Sequence, residues 1–175
     1  MHAMKICRIA GAVFALTATT ALAQESNNRV AAHTDWSVFE ASEPKQCWSV
    51  SAPKETVNTR DGRVVAVRRG DILLFVSFIP DSSVAGQVSF TGGYPFRDGS
   101  TVTMDVSGTK FELFTDGEMA WSASDADDAK ILTALKRGAE AVLVGESSRG
   151  TKTEDTFSLF GFTAAVEEAE KRCSG

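Results

Sequence analysis

The chain has 175 residues, with 18 Lys and Arg against 23 Asp and Glu, and a net charge of −5. That acidic balance argues against nucleic acid or anionic lipid as a partner, because both reward clustered basic residues. The length allows one domain with a substantial core.

In chain order, the first segment reads as an address. Lys5 and Arg8 precede an apolar run from Ile9 to Leu22, and Ala21-Leu22-Ala23 is a small-x-small cleavage site. Residues 1–23 are therefore expected to be a cleavable signal peptide, cut after Ala23. The run falls short of the about 20 residues of a membrane-spanning helix, and no later segment matches it. The expected product is periplasmic or secreted, with no integral membrane span. Cys7 precedes the apolar run, so it is not a lipidated cleavage-site cysteine and leaves with the leader.

Residues 24–35 (QESNNRVAAHTD) are polar and aperiodic and read as a flexible tail, leaving 36–175 as a single domain. WSVFE and QCWSVS alternate like half-buried strands. ILLFVSFI at 72–79, ended by Pro80, reads as a central strand buried on both faces. From 100 to 123, TVTMDV, TKFELFT and EMAWSA are joined by Ser107-Gly108 and Asp116-Gly117, the pattern of a β-meander. Val102, Met104 and Val106 are expected inside, as are Phe111 with Leu113 and Met119 with Trp121.

A helix should follow, capped by Ser124, with Asp125, Asp127 and Asp128 in its first turn, Lys136 and Arg137 in its last, and Gly138 as its stop. Its apolar stripe is Ile131, Leu132 and Leu135. AEAVLVGES and EDTFSLFGF read as two more strands, and a second helix runs from about Thr163 to Arg172 with Cys173 on its inward stripe. The expected fold is mainly β, an antiparallel β-sandwich or open barrel of about eight strands with two short helices.

Once the leader is removed, two cysteines remain. In an oxidising compartment Cys47 and Cys173 are expected to form a disulfide; the rival reading is a free nucleophilic thiol. The mature chain holds one histidine, His33 in the tail, so Ser-His-Asp and Cys-His arrangements lack a base, and no metal or cofactor is expected. Asp125, Asp127 and Asp128 lack the glycine and the final glutamate of a calcium loop, and helix capping explains them. The best candidate contact region is SSRGTKTEDTFS, where Arg149, the threonines Thr151, Thr153 and Thr156, and Asp155 offer an anion or sugar polar groups. The same threonines also fit the exposed face of a strand. In TGGYPFRDGS, the glycines, Pro95 and Asp98-Gly99 account for a bent connection, leaving Tyr94 and Arg97 as possible contacts.

The segments PKQCW, DILLFVSFIP, QVSFTGGYPF, GEMAWSASDADDAKIL and SSRGTKTEDTFSLFGFTAA follow one another in order. Together they resemble the invasion-associated locus B family of alphaproteobacterial exported proteins, from about Trp36 to Cys173. The resemblance implies export to the periplasm or outer membrane and, in a pathogen, a link to host-cell entry; it carries over no catalytic residues. The expected function is thus a non-enzymatic binding or interaction protein whose partner is an envelope or host-surface protein or glycan. The alternatives are a small carboxylate-dependent hydrolase or transferase, and a structural or chaperone-like periplasmic protein.

Overall fold

The computed structural model describes residues 28–174. The leader expected over 1–23, its cleavage site and residues 24–27 lie outside the described residues. The strands are β1 Arg29–His33, β2 Trp36–Ser42, β3 Lys45–Ser51, β4 Glu55–Arg60, β5 Arg63–Val64, β6 Leu73–Ile79 and β7 Val84–Thr91. After them come β8 Thr101–Val106, β9 Thr109–Asp116, β10 Met119–Trp121, β11 Glu140–Glu146 and β12 Lys152–Ser158, with α1 (Asp125–Leu135) before β11 and α2 (Phe162–Cys173) at the end. All twelve strands form one antiparallel sheet in the order β1-β2-β3-β6-β7-β10-β9-β8-β11-β12-β4-β5, which is not closed by a ladder.

The order implies strong coiling. Only residues 52–54 join β3 to β4, and that link spans at most about 14 Å. In the sheet the two strands stand eight positions apart, about 38 Å if it were flat. The sheet must therefore wrap until its two halves meet, and local bonds mark where they do. Trp36 Nε1 donates to the Ser158 carbonyl at 2.9 Å, and the Lys54 amide donates to the Thr156 carbonyl at 2.7 Å.

Alternation along the strands fills the wrapped interior. Leu74, Val76 and Phe78 from β6, Val102 and Met104 from β8, and Phe157 from β12 are buried there. Helix α2 covers the β1–β6 part of this face, with Phe162 edge-on to Trp36 at a centroid distance of 4.8 Å. Cys173, on its last turn, is joined to Cys47 of β3 by a disulfide, as the sequence led us to expect. Ser124 caps α1 by accepting the Asp127 amide at 3.2 Å, and Asp128 is buried and accepts the Val88 amide at 2.8 Å. Strand β10 ends at Trp121, opposite Ser89, so the carboxylate takes over at Val88 where the ladder stops.

Several expectations are corrected. The segment 24–35 is not wholly a loose tail, because residues 29–33 form β1, paired to β2 and crossing so close over Gly161 that a Cβ there would clash with the His33 carbonyl. Strand β6 is buried on one face only, its Leu73, Phe75 and Ser77 being half-covered, because the helices lie on the other side. In β10 the inward residue is Ala120; Met119 and Trp121 face outward, where Trp121 packs on Phe114. Helix α1 ends at Leu135, before Lys136 and Arg137. The added strands β1, β4 and β5 are short or polar, with little alternation to betray them.

Candidate functional site

Five separate segments meet at one rim of the sheet: the end of β4, the return stretch 67–70, the turn 93–95, the β9–β10 turn at Glu118 and the β11–β12 loop at 147–151. They enclose a cleft of about 450 Å³. Tyr94, Arg149, Thr151 and Thr153, all picked out in the sequence, line this one cleft. A larger and shallower hollow of about 670 Å³ lies between α1 and the β8–β9 hairpin, and none of the candidate residues borders it.

Backbone geometry sets the turn that carries Tyr94. Gly93 has φ +70°, and a Cβ on it would lie 2.6 to 2.8 Å from backbone atoms of Gly70, whose amide donates to the Gly93 carbonyl at 2.8 Å. Two chain segments touch backbone to backbone here, which only glycine permits. A Cβ on Gly92 would lie 2.9 Å from the Tyr94 ring, so that glycine leaves room for the ring to fold back. The Tyr94 ring packs edge-on to Phe96 at 5.0 Å, and its hydroxyl shares a 2.6 Å hydrogen bond with Thr153. Burial pushes the Tyr94 phenol above its ordinary range, with the Thr153 bond opposing.

Beneath the cleft lies a buried ion pair. Arg69 donates through Nη1 and Nη2 to the two oxygens of Asp155 at 2.7 and 2.6 Å, with side-chain exposures of 6% and 0%. Arg69 also donates Nε–H to the Gly92 carbonyl at 2.8 Å and lies 5.0 Å from the Tyr94 ring centroid. One guanidinium thus ties β12, the glycine turn and the aromatic wall together. Burial raises the Asp155 carboxyl above its usual range, and Arg69 works against that.

Strand β12 turns Thr153 and Asp155 inward, as Thr151 just before it already is, and leaves Lys152 and Glu154 exposed. This overturns the reading of these threonines as an exposed face. The inward register is tolerable because each polar atom has a partner, with Arg60 Nη2 donating to Thr151 Oγ1 at 2.6 Å. Arg97 does not line the cleft; its guanidinium bonds Glu146 at 2.8 Å. His33, read as a tail residue, meets Glu168 of α2.

Sequence reasoning missed Arg60, Arg68 and Arg69. All three stand in RDGRVVAVRR, which carries four arginines in ten residues of an acidic chain, and that local reversal of charge was the available signal. The arginine ion pairs are Arg69 with Asp155, Arg97 with Glu146, and Arg172 with Glu40 and Glu168. Among the described residues Arg60, Arg68 and Arg149 make no ion pair, and all three line the cleft, where the lining acid is Glu118.

Among the described residues no helix is long and apolar enough to cross a membrane. The model of the invasion associated locus B (IalB) protein family matches residues 36–170. Among solved structures, the chain is similar to invasion associated protein b from Bartonella henselae, at 15% identity and a TM-score of 0.57, over 83% of this chain and 98% of that one. No curated protein matches it. The disulfide-closed, mainly antiparallel sheet with one mid-chain and one terminal helix is therefore the form taken here by a known family, and the chain belongs to the invasion associated locus B family.

Proposed function

We propose that the protein is an exported, non-enzymatic binding protein of the cell envelope or host surface, with the rim cleft as its contact site. The observation that carries this reading is that Tyr94 and the segment holding Arg149, Thr151 and Thr153, well separated in sequence, meet with Arg60 and Arg68 on one cleft built on paired strands. Family membership supports export. Host-cell invasion, after which the family is named, supplies a setting in which a surface partner is met.

The carboxylate-dependent hydrolase or transferase has less support. It needs two acids facing one another across a cleft, whereas the acid in this lining is Glu118, and Asp155 beneath is bound through both oxygens by Arg69. The structural or chaperone-like reading draws on a different observation. Phe39 stacks on Trp48 at 5.5 Å and Phe114 packs on Trp121 at 5.6 Å, on the sheet face away from the helices, with Phe114 48% exposed.

The test is capture of a partner from envelope and host-membrane extracts by the disulfide-intact protein and by Ser148→Trp, which fills the cleft mouth. The wild type should retain a partner that the variant loses. Equal capture by both, or turnover of an ester, glycan or peptide substrate by the wild type, would overturn the proposal.

A further inference from the structure

We infer that the cleft takes an acidic sugar chain, whose carboxylate or sulfate groups are received by Arg60, Arg68 and Arg149. This deepens the reading of the cleft as the contact site and rests on it. The first ground is segregation of charge. The protein is acidic overall, at −5, yet with Arg69 set aside because Asp155 neutralises it, the cleft lining holds three arginines against one acid. A positive cleft in such a chain does not follow from its composition.

The second ground is the division of labour among the arginines. Arg69 is neutralised by Asp155 and also donates to the Gly92 carbonyl and to Asn58 Oδ1, so it holds the wall rigid. The other three line the cleft and make no ion pair among the described residues. Arg60 is anchored through Nη2 on Thr151, at 2.6 Å, which positions the rest of its planar fork toward the cleft. Groups held in place before the ligand arrives lose less entropy on binding.

The third ground separates a sugar from other anions. Glu118 would repel a ligand made only of negative groups, whereas it accepts hydrogen bonds from hydroxyls. Sugars with acidic substituents present both. The hydroxyl of Ser148 adds a donor and acceptor, and Val67 and Pro95 add apolar surface for the carbon face of a ring. A bilayer or a nucleic acid duplex would also press against the acidic remainder of the protein, but a narrow sugar chain entering the cleft would not.

Isothermal titration of the full, disulfide-intact protein tests the inference with five probes: a sulfated heparin-derived hexasaccharide, a hexamer of galacturonic acid, neutral maltohexaose, inorganic sulfate, and phosphatidylglycerol vesicles. At least one of the two acidic hexasaccharides should bind, more weakly as NaCl is raised, at least tenfold more tightly than maltohexaose or sulfate, and without competition from vesicles. The triple variant Arg60→Gln/Arg68→Gln/Arg149→Gln should lose at least tenfold in affinity. Lys130→Gln/Arg137→Gln, on the distant hollow beside α1, should lose none. Arg60→Gln takes the partner from buried Thr151 Oγ1 and lowers the thermal midpoint, so a retained cooperative transition and an unchanged far-UV circular dichroism spectrum will show that the triple variant folds. Absent binding of both acidic hexasaccharides, equal binding of maltohexaose, tighter binding of sulfate or vesicles, or an unaffected triple variant would each overturn it. If Ser148→Trp abolishes partner capture while neither acidic sugar binds, the cleft keeps its role and only the ligand class falls.

Discussion

Asp155 has no exposed surface, and it is tolerable only because Arg69 reaches it through both amino groups. Removing one member of such a pair leaves an uncompensated buried charge, which costs about 3–5 kcal/mol, whereas replacing both with apolar groups is often near neutral. We therefore expect Arg69→Ala to destabilise the protein by about 3–5 kcal/mol in urea unfolding. The double variant Arg69→Met/Asp155→Leu should recover most of that loss while keeping the fold. Asp155 and its neighbouring threonines were visible in the sequence as polar residues on a strand, but their direction was not. A pattern of threonines every second position fits either face, and the guanidinium that decides between them comes from 86 positions away.

At the scale of elements, the hairpins were legible because their turn chemistry is local. Ser107-Gly108, with both φ values positive, closes β8 on β9 as the dipeptide predicts. Strands β1, β4 and β5 were not legible, because they are short, mostly exposed, and bound to the sheet chiefly by backbone bonds. The glycine turn gives a sharp test. Gly93 and Gly99 have nearly equal φ, +70° and +69°, but a Cβ at Gly93 strikes Gly70 while at Gly99 nothing lies within 4 Å. Both alanine variants should lose about 1–2 kcal/mol for the left-handed backbone; Gly93→Ala should lose measurably more and also impair ligand capture, since the contact it breaks holds one wall of the cleft.

Helix α2 is fixed at both ends by different chemistry. Its disulfide closes a loop with a sequence separation of 126. The chain-entropy relation gives about 5 kcal/mol for a loop of that length, with measured effects often smaller. Cys47→Ala/Cys173→Ala should accordingly lower the unfolding free energy from urea titration by up to about 5 kcal/mol while α2, held by Phe162 and Val166, stays docked. On the exposed side, Arg172 bonds Glu168 and Glu40, and His33 meets Glu168. Arg172 foremost, then His33, holds the Glu168 carboxyl below its ordinary 4.5, and Lys45 and then Arg172 do the same for Glu40. A depressed acid stabilises the fold above its unfolded value and loses that contribution as pH falls through its folded value. Glu168→Gln should therefore have a lower thermal midpoint than wild type at pH 7, and the gap should close on acidification below 4.5.

For the whole molecule, the class of fold was readable from strand count, turn residues and absence of long helices, and the family from ordered motifs along the chain. The cleft was only half readable. Its β12 and Tyr94 components stood out as polar or aromatic residues without a structural duty, but Arg60, Arg68 and Arg69 lay in a stretch without clear periodicity. Their place beside β12 depends on the wrapping of the sheet, which follows from the order in which strands pair and is not written in any single segment.

That wrapping also dictates when the cleft can exist. Strand β4 pairs with β12, Thr59 opposite Lys152, although β4 is made long before its partner. The strands from β6 through β10 pair with near neighbours in the chain and close short loops, whereas β4 must wait for the last third of the polypeptide. A chain released only as far as residue 150 therefore has much of its sheet but not β12, the strand that completes the cleft. The cleft thus belongs to the late part of the fold, completed only when β12 pairs with β4.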